Sequence, residues 1–312
     1  MTEFNVDVLI IGSGPAGNTA GIYLARSGMK IAIISGMSIG GQLTTTTEVE
    51  NFPGFPKPIL GFDLMNNMME QAKNVGVQLI YDNVVSVDFS KRPFICNLEG
   101  GDVYIAKFVV IATGASAKWL NIPSEERYKG RGVSACATCD GSFYKDKIVA
   151  VIGGGSSAGT EALHLSHLCK KVYLIHRRDS FRMNEKILEN VKNSKNIEII
   201  FNSVVDEVLG NENSTAVGGI ALKNVLNNEI TKITLDGVFV AIGRQPATEF
   251  LKNTGIKINE NGYIFTHPDS SRTNIPFVYA VGDVADKPFK QGVIAAGYGA
   301  VASMEIQEDL EK

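Results

Sequence analysis

Two cysteines separated by two residues, Cys136 and Cys139, are followed immediately by Asp140. A cysteine pair at this spacing can cycle between disulfide and dithiol, and a neighbouring carboxylic acid can protonate a thiolate that leaves. These residue types therefore indicate redox chemistry. The spacing alone also fits half of a zinc site, two inert thiols in a loop or a structural disulfide.

A zinc site would need two further ligands. The nearest candidates are His164 and His167, one turn apart on a predicted helix, with Cys169 just beyond them. The sequence contains no second Cys-x-x-Cys pair, and surface or packing positions on a helix explain the two histidines better. We therefore favour the redox interpretation over the zinc site.

Length and composition describe a globular chain of two domains. Its 312 residues exceed what one hydrophobic core usually supports, and 44% apolar and 20% charged residues are ordinary for a folded protein. The formal net charge of −3 and the absence of a basic run argue against nucleic acid or an anionic membrane as the main partner. No apolar stretch reaches the roughly eighteen residues that a membrane span needs.

The compartment is expected to be the cytoplasm. A strand is predicted almost at the N-terminus, from Asp7, which leaves no room for a signal peptide. Four cysteines, two of them closely spaced, do not form the disulfide framework of a secreted protein. In a reducing compartment a Cys-x-x-Cys pair is more often catalytic than structural.

A strand, a glycine-rich turn and a helix near the N-terminus predict a dinucleotide-binding fold. An apolar run that ends at Ile11 leads into GSGPAG at residues 12–17, and a helical pattern follows. Gly12 permits the turn, Gly14 lets the backbone approach a pyrophosphate, and Gly17 lets helix and strand pack closely. The acid expected at the end of the second strand is absent, so ribose recognition there needs another group.

The next segment combines a long polar loop with an amphipathic helix. Gln42 and Asn51 in the loop offer donors and acceptors that suit a flat cofactor ring, although an ordinary connection is the alternative. The helix is predicted over residues 61–75, with its buried face formed by Leu64, Met65, Met68 and Ala72. An apolar strand that ends in Ala112-Thr113-Gly114 then closes the first part of this domain, after which residues 115–123 are predicted as a linker.

A second copy of the glycine motif follows the cysteine pair. A predicted strand, residues 147–152, leads into GGGSSA, in which Gly153, Gly155 and Ala158 occupy the three fingerprint positions. The next strand ends in His176-Arg177-Arg178, with Arg182 shortly after. Positive groups at this specificity position favour the extra phosphate of NADP, and a solvated basic cluster is the alternative.

The C-terminal part is predicted to return to the first domain. The strand at residues 237–243 repeats the strand-to-glycine ending of residues 108–114, so the second domain ends near Gly243. A later strand delivers Asp283 to its C-terminal end, where ligands of open α/β sheets bind. A helix rich in small residues, from about Gln291 to Leu310, suits close packing on a cofactor domain.

Two dinucleotide folds with a cysteine pair between them imply an electron path from a nicotinamide through a flavin to a disulfide. Along nearly its whole length the sequence resembles the low-molecular-weight thioredoxin reductases. The matching motifs are GSGPAG at Gly12, GGQLTTTTEVENFPG at Gly40, ATGASA at Ala112, CATCDG at Cys136, VIGGG at Val151, IHRRDSFR at Ile175, FVAIGR at Phe239 and AVGDV at Ala280.

The resemblance implies an α/β fold of two Rossmann-like three-layer nucleotide-binding domains. A discontinuous FAD domain would comprise residues 1–116 and 247–312, with an NADPH domain, residues 117–246, inserted between them. Members of this family are homodimers whose two domains rotate, so that the cysteines and the nicotinamide take turns at the flavin.

The resemblance also implies a role for each motif residue. Cys139 would be the thiol next to the flavin, Cys136 would attack the thioredoxin disulfide, and Asp140 would act as acid and base. FAD would be held by Gly12, Gly14, Pro15, Ala16, Gly17, Gly41, Gln42, Leu43, Asn51, Ala112, Thr113, Gly114, Gly282, Asp283, Gln291, Gly292 and Val293. NADPH would be held by Gly153, Gly155, Ser156, Ser157, Ala158, His176, Arg177, Arg178, Arg182, Ile242 and Gly243.

The sequence departs from the family pattern near the second glycine loop and before the last helix. Ser156 and Ser157 stand where Asn or Asp and then Thr are common, Gly159 and Thr160 replace larger residues, and Lys290 stands where Arg is usual. Ferredoxin or flavodoxin NADP reductases of this type lack the cysteine pair, and peroxiredoxin-reducing relatives need an N-terminal extension. A flavin- and nucleotide-binding redox sensor, with the cysteines as a reversible switch, is the alternative from another class.

Overall fold

The structure is a computed structural model that describes residues 2–46 and 48–310; Thr47, in the predicted polar loop, lies outside the described residues. The chain divides into two compact units. The first comprises Met1–Ser116 and Gln245–Lys312, and the second comprises Ala117–Arg244.

The described residues form nineteen strands, which are numbered in chain order. They are β1 (Glu3–Ile11), β2 (Ile31–Ile34), β3 (Glu48–Val49), β4 (Ile59–Leu60), β5 (Gln78–Ile80), β6 (Val84–Asp88), β7 (Phe94–Leu98), β8 (Val103–Ile111), β9 (Ala115–Ala117), β10 (Val133–Ser134), β11 (Ile148–Ile152), β12 (Lys171–Ile175), β13 (Ile197–Ile200), β14 (Ser203–Gly210), β15 (Val217–Asn224), β16 (Ile230–Thr234), β17 (Gly237–Val240), β18 (Arg244–Pro246) and β19 (Val278–Ala280).

Seven α-helices accompany these strands in the described residues. They are α1 (Pro15–Arg26), α2 (Gly61–Asn74), α3 (Pro123–Tyr128), α4 (Ala137–Asp140), α5 (Ser156–Ser166), α6 (Glu185–Asn193) and α7 (Gly292–Leu310). Short 3-10 helices occupy Gly41–Thr45, Gly141–Tyr144, Glu249–Leu251 and Gly282–Val284. Within the described ranges, no helix has both the length and the apolar character that crossing a membrane requires.

The first unit is built on a mixed sheet with the strand order β5-β2-β1-β8-β7-β6, and β19 also pairs with β8. Strands β5, β2, β1, β8 and β19 are parallel neighbours, so their carboxyl ends share one edge of the sheet. The runs of Val, Ile and Leu in β1, β2 and the second half of β8 are buried on both faces, as expected for parallel strands. Helices α1 and α7 contribute to one buried cluster with this sheet.

The second unit is a three-layer arrangement around a parallel sheet with the order β10-β17-β11-β12-β13. One face packs against the antiparallel sheet β14-β15-β16 through apolar residues such as Ile220 and Leu222. The other face packs against α4, α5 and α6, through residues that include Ala137, Ala162 and Val191. The fold class predicted from the sequence, α/β with parallel nucleotide-binding sheets, is confirmed.

Helix α7 is held against the rest of the first unit at its middle and at its C-terminal end. Near its middle, a Cβ at Gly299 would lie 2.2 Å from the carbonyl oxygen of Ala16, so α7 can cross α1 closely only with glycine there. Near its end, the guanidinium of Arg272 donates to the carboxylates of Glu305 and Asp309. The buried Tyr279 hydroxyl donates to the same Asp309 at 2.6 Å.

One prediction about α2 is wrong in detail. The structure buries Leu64, Met65, Met69 and Ala72, whereas Met68 is only partly buried. Continuing the stripe from Met65 by one turn of 3.6 residues leads to Met69, so the predicted Met68 lies at the edge of that stripe.

Candidate functional site

The first glycine loop lies at the carboxyl edge of the first sheet, between β1 and α1. At Gly12, with φ of 114°, a Cβ would lie 2.3 Å from the carbonyl oxygen of Ala112. A Cβ at Gly17 would lie 2.0 Å from the carbonyl oxygen of Gly12. At Gly14, in contrast, a Cβ would meet nothing within 4 Å. The loop is therefore tightly packed at two glycines and open at the one where a pyrophosphate would approach.

The other residues predicted to hold FAD lie in the same unit. Pro15, Ala16 and Gly17 form the first turn of α1, with Pro15 at its start. The rest lie in the 3-10 helix that contains Gly41, Gln42 and Leu43, in the loop at Asn51, after β8 at Ala112, Thr113 and Gly114, in the 3-10 helix that contains Gly282 and Asp283, and where α7 begins at Gln291, Gly292 and Val293.

Several of these segments meet although they are far apart in sequence. The Nδ2 amide of Asn51 donates to Oε1 of Gln291 at 3.5 Å. A Cβ at Gly292 would lie 3.1 Å from Cδ1 of Leu43, and one at Gly41 would lie 3.5 Å from Cα of Gly14. The polar loop and the start of α7 thus border the first glycine loop.

Two buried polar residues hold this loop in shape. The Nδ2 of the fully buried Asn18 donates to the carbonyl oxygens of Ser13 and Gly14, and its Oδ1 has no partner in the described part of the chain. The hydroxyl of Ser13 donates to the carbonyl of Ser35 and accepts the backbone N–H of Gly40. The loop is therefore anchored by side chains of its own unit.

Lys290 takes part in the same region. Its Nζ donates to the carbonyl oxygens of Asp283 at 3.1 Å and of Ala285 at 2.6 Å. A lysine thus bridges these two carbonyls at the position where the family usually has arginine.

The second glycine loop repeats the geometry of the first at the carboxyl edge of the second sheet. A Cβ at Gly153 would lie 2.4 Å from the carbonyl oxygen of Ala241, whereas one at Gly155 would meet nothing within 4 Å. Ser156, Ser157 and Ala158 form the first turn of α5, and Ile242 and Gly243 follow β17 at the same edge. This loop also leaves open the approach that a pyrophosphate requires.

Two members of the predicted NADP phosphate cluster, His176 and Arg182, contact this second loop. A Cβ at Gly154 would lie within 2.5 Å of three ring atoms of His176, and the backbone N–H of Arg182 donates to the carbonyl of Gly154 at 2.8 Å. Arg177, Arg178 and Arg182 have exposed side chains. Burial, followed by the charges of these arginines, lowers the pKa of His176, whose Nε2 has no partner among the described residues.

The open positions in the two loops lead to one prediction. Gly14 and Gly155 have φ of −69° and −97°, so alanine fits the backbone of each without strain. We expect Gly14→Ala to retain the melting temperature of the ligand-free protein but to weaken flavin binding by at least roughly tenfold, because its methyl group occupies the pyrophosphate approach. Gly155→Ala, the matched variant, should retain flavin and weaken the nicotinamide nucleotide instead. Equal effects of both variants on both ligands would contradict the assignment of the two loops.

The cysteine pair forms a disulfide between Cys136 and Cys139. Cys136 precedes α4, Cys139 lies within it, and both are partly exposed. Cys96 and Cys169 are free and buried, and burial raises the pKa of the Cys96 thiol to about 12 and that of Cys169 to about 11. The reactive pair is thus distinguished from the other two cysteines by exposure as well as by spacing.

Asp140 is connected to the cysteine pair by Ser134. The Ser134 hydroxyl donates to Oδ2 of Asp140 at 2.6 Å and accepts the backbone N–H of Cys136 at 3.0 Å. Burial raises the pKa of Asp140 above its ordinary value, although the Ser134 hydrogen bond lowers it in part. A carboxyl group in this environment keeps its proton to higher pH than an exposed aspartate and can act as an acid beside the thiols.

The zinc alternative finds no support in the structure. Among the described residues, no group of three or more His, Cys, Asp and Glu side chains could hold a metal ion. His164 and His167 belong to α5 and to its C-terminal end.

The sequence did not predict a role for Asn18 in the first unit or for Ser134 and Glu161 in the second unit. Ser134 immediately precedes the segment Ala135–Asp140, so a small hydroxyl side chain close to the pair was a signal that could have been used. Asn18, a polar residue in the first turns of a buried helix, was a weaker signal. Nothing in the sequence indicated that Glu161, on α5, contacts the cysteine segment.

The chain is similar to known oxidoreductases along nearly its whole length. The family model described as pyridine nucleotide-disulphide oxidoreductase matches residues 6–303. A thioredoxin reductase of Rickettsia conorii is 48% identical over 99% of this chain and 100% of its own length. That of Escherichia coli O157:H7 is 44% identical over 97% of this chain and 96% of its own. The solved thioredoxin reductase of Giardia duodenalis has a TM-score of 0.95 at 38% identity, with 99% of each chain covered.

Proposed function

This chain belongs to the pyridine nucleotide-disulphide oxidoreductase family and, within it, to the thioredoxin reductases, and we propose that it uses NADPH and FAD to reduce oxidised thioredoxin. The observation that carries the proposal is the partly exposed Cys136–Cys139 disulfide, next to which Ser134 accepts the backbone N–H of Cys136 and donates to Asp140. When bound, the flavin would take a hydride from the nicotinamide and supply the two electrons that open this disulfide.

The first unit fits FAD. Its glycine loop has an open position at Gly14, and the α1 N-terminus that follows attracts phosphate charge. The Asn51 and Gln291 amides lie together beside the loop and supply polar groups for the flavin ring, and Asp283 follows β19 at the same sheet edge. We assign this unit as the FAD domain.

The second unit fits NADPH. Gly155 leaves the pyrophosphate approach open at the start of α5. Arg177, Arg178 and Arg182 present exposed guanidinium groups after β12, which suit the 2′-phosphate of NADPH. The unpartnered Nε2 of His176 provides a further group that a phosphate oxygen could engage, and phosphate would raise the lowered pKa of this imidazole.

The thiol steps use this chain's own residues. The Cys136 thiolate attacks one sulfur of the thioredoxin disulfide, which forms a mixed disulfide and releases one thioredoxin thiolate that Asp140 protonates. Cys139 then gives its proton to the Asp140 carboxylate and attacks the sulfur of Cys136, which forms the Cys136–Cys139 disulfide again and releases the second thioredoxin thiolate, and this thiolate takes the proton from Asp140. Thioredoxin gains two electrons and two protons, and the cysteine pair loses two electrons.

The role of Asp140 leads to a prediction about pH. Asp140→Asn removes the titrating acid, so thioredoxin reduction should slow by roughly 10²-fold. In the wild type, this acid function is present when Asp140 is protonated and is lost as the pH rises through its raised pKa. The kcat of the wild type should therefore fall as the pH rises through the pKa of Asp140, and the kcat of Asp140→Asn should show no such fall. A variant that keeps full rate and the wild-type profile would exclude Asp140 as the acid.

The test of the proposed function is an anaerobic titration that follows flavin absorbance. NADPH should bleach the purified yellow protein, and oxidised thioredoxin should then restore the absorbance. Bleaching without recovery would still identify a flavoprotein that NADPH reduces, but its electron acceptor would be a molecule other than thioredoxin. We further propose that the enzyme is a cytoplasmic homodimer, which sedimentation of the purified protein and fractionation of cells can test.

A further inference from the structure

Glu161 is a partly buried glutamate to which the proposed reaction gives no role. It lies within the second turn of α5, and its Oε2 is buried with no hydrogen-bond partner among the described residues. Burial raises its pKa to about 7, whereas a hydrogen bond from the Ala137 backbone and the charge of Arg244 act in the opposite direction. A carboxyl group with this pKa changes charge in the range where most enzymes work.

Glu161 contacts the segment that contains the redox cysteines. The residue it binds, Ala137, follows Cys136 directly, is 1% exposed and packs in the same buried cluster as Ala162 and Leu165 of α5. At the other end of α4, a Cβ at Gly141 would lie 3.2 Å from Cδ2 of Leu165. The cysteine segment therefore rests on α5 at both ends, and the Glu161 carboxyl group lies one peptide unit from Cys136.

Reduction changes the charge beside this carboxyl group. The disulfide is neutral, but the reduced pair must form a thiolate to attack another disulfide. A negative carboxylate close to a thiol disfavours the thiolate, whereas a neutral carboxylic acid does not. By the same coupling, formation of the thiolate makes it easier for Glu161 to keep a proton.

We propose that Glu161 is a positioning residue for the redox pair: it anchors the Ala137 peptide and, through its charge, sets the pH at which the reduced cysteines become thiolate. This inference rests on the redox role proposed above for Cys136 and Cys139. The charged group that acts on Glu161 from outside its helix is Arg244, and the titratable groups on the segment packed against it are the two cysteines and Asp140.

The test measures thiol reactivity directly. The flavin-loaded protein is reduced with dithiothreitol, desalted without oxygen and alkylated with iodoacetamide at a series of pH values. Glu161→Gln retains an oxygen that can accept the Ala137 N–H but carries no charge. It should be alkylated roughly three- to tenfold faster than the wild type near neutral pH, because a thiol pKa lowered by one unit gives about ten times more thiolate. An unchanged profile overturns the proposal.

Two further variants distinguish the effect of the Glu161 charge from the loss of the Ala137 anchor and from a charge change elsewhere on the surface. Glu161→Ala loses the acceptor as well as the charge, so it should lose thioredoxin turnover that Glu161→Gln retains; identical turnover of the two overturns the anchoring role. Glu189→Gln makes the same charge change at an exposed position on α6 and should keep the wild-type alkylation profile. Reduction of ferricyanide by NADPH reports whether each variant still binds flavin and nucleotide.

The same measurements distinguish this inference from the proposed function. A wild type that is alkylated as expected but does not reduce thioredoxin would count against the proposed function alone. An active wild type whose thiol profile is unaffected by Glu161→Gln would overturn the inference alone.

Discussion

Replacing either redox cysteine by serine is expected to abolish thioredoxin reduction while the flavin stays bound and reducible by NADPH. A serine hydroxyl cannot form a disulfide, so the Cys136→Ser and Cys139→Ser variants each lose the only route proposed for electrons to leave the flavin toward thioredoxin. The rate with thioredoxin should fall by at least about 10³-fold, as when a nucleophile is removed from a catalytic unit. Stopped-flow absorbance of the flavin measures the NADPH step separately from turnover with thioredoxin.

The two buried cysteines provide the matched control. Cys96→Ala and Cys169→Ala remove thiols that are buried and whose pKa values are raised to about 12 and about 11. Each change leaves a small cavity and should cost about 1 kcal/mol of folding stability without slowing thioredoxin reduction. Full thioredoxin-dependent turnover in either Cys136→Ser or Cys139→Ser would show that electrons leave by another path.

The features that the sequence predicted are those encoded within short segments. Strand, glycine turn and helix follow each other within about thirty residues, so both glycine loops could be predicted from GSGPAG and GGGSSA and from their position between a strand and a helix. The structure explains the residue choice at Gly12 and Gly153, where a Cβ would collide with the backbone of a neighbouring strand's end. Steric requirements of this kind produce a short glycine motif that can be recognised in the sequence without the structure.

The features that the sequence did not reveal depend on contacts between distant segments. Asn51 and Gln291 meet although 240 residues separate them, and either residue alone could equally belong to an ordinary surface loop. Glu161 was likewise indistinguishable from a solvated helical glutamate until α4 was seen packed on α5. Burial turns an ordinary carboxyl group into one with a raised pKa, and burial is a property of the assembled unit.

Segment boundaries show a third kind of difference. Residues 115–123, predicted as a linker, contain the strand β9, which pairs with β18, and the beginning of α3 at Pro123. A three-residue strand is too short for a periodic pattern, and its partner lies more than a hundred residues away. The local sequence therefore indicated a connecting segment but did not reveal the strand pairing within it.

The arginine cluster gives the second large expected effect. Replacing Arg177 and Arg178 together by alanine should raise the KM for NADPH by at least roughly 10²-fold, because each charge-assisted hydrogen bond to phosphate contributes about 1.5–3 kcal/mol. NADH lacks the 2′-phosphate, so its KM should change by no more than about two- to threefold, the size of a screened long-range charge effect. Both side chains are exposed, so the fold should tolerate the change.

Steady-state kinetics with both nucleotides, at one fixed ionic strength, distinguishes a phosphate site from a general loss of positive charge. The double variant Lys192→Ala and Lys195→Ala removes the same charge from exposed positions at the end of α6 and just beyond it, and it should leave the ratio of the two KM values unchanged. A loss of NADPH and NADH binding by equal factors in the arginine variant would contradict the 2′-phosphate assignment. Selective loss of NADPH binding would show that the residues after β12 give this enzyme its preference for NADPH over NADH. These residues follow a parallel strand that ends beside the second glycine loop.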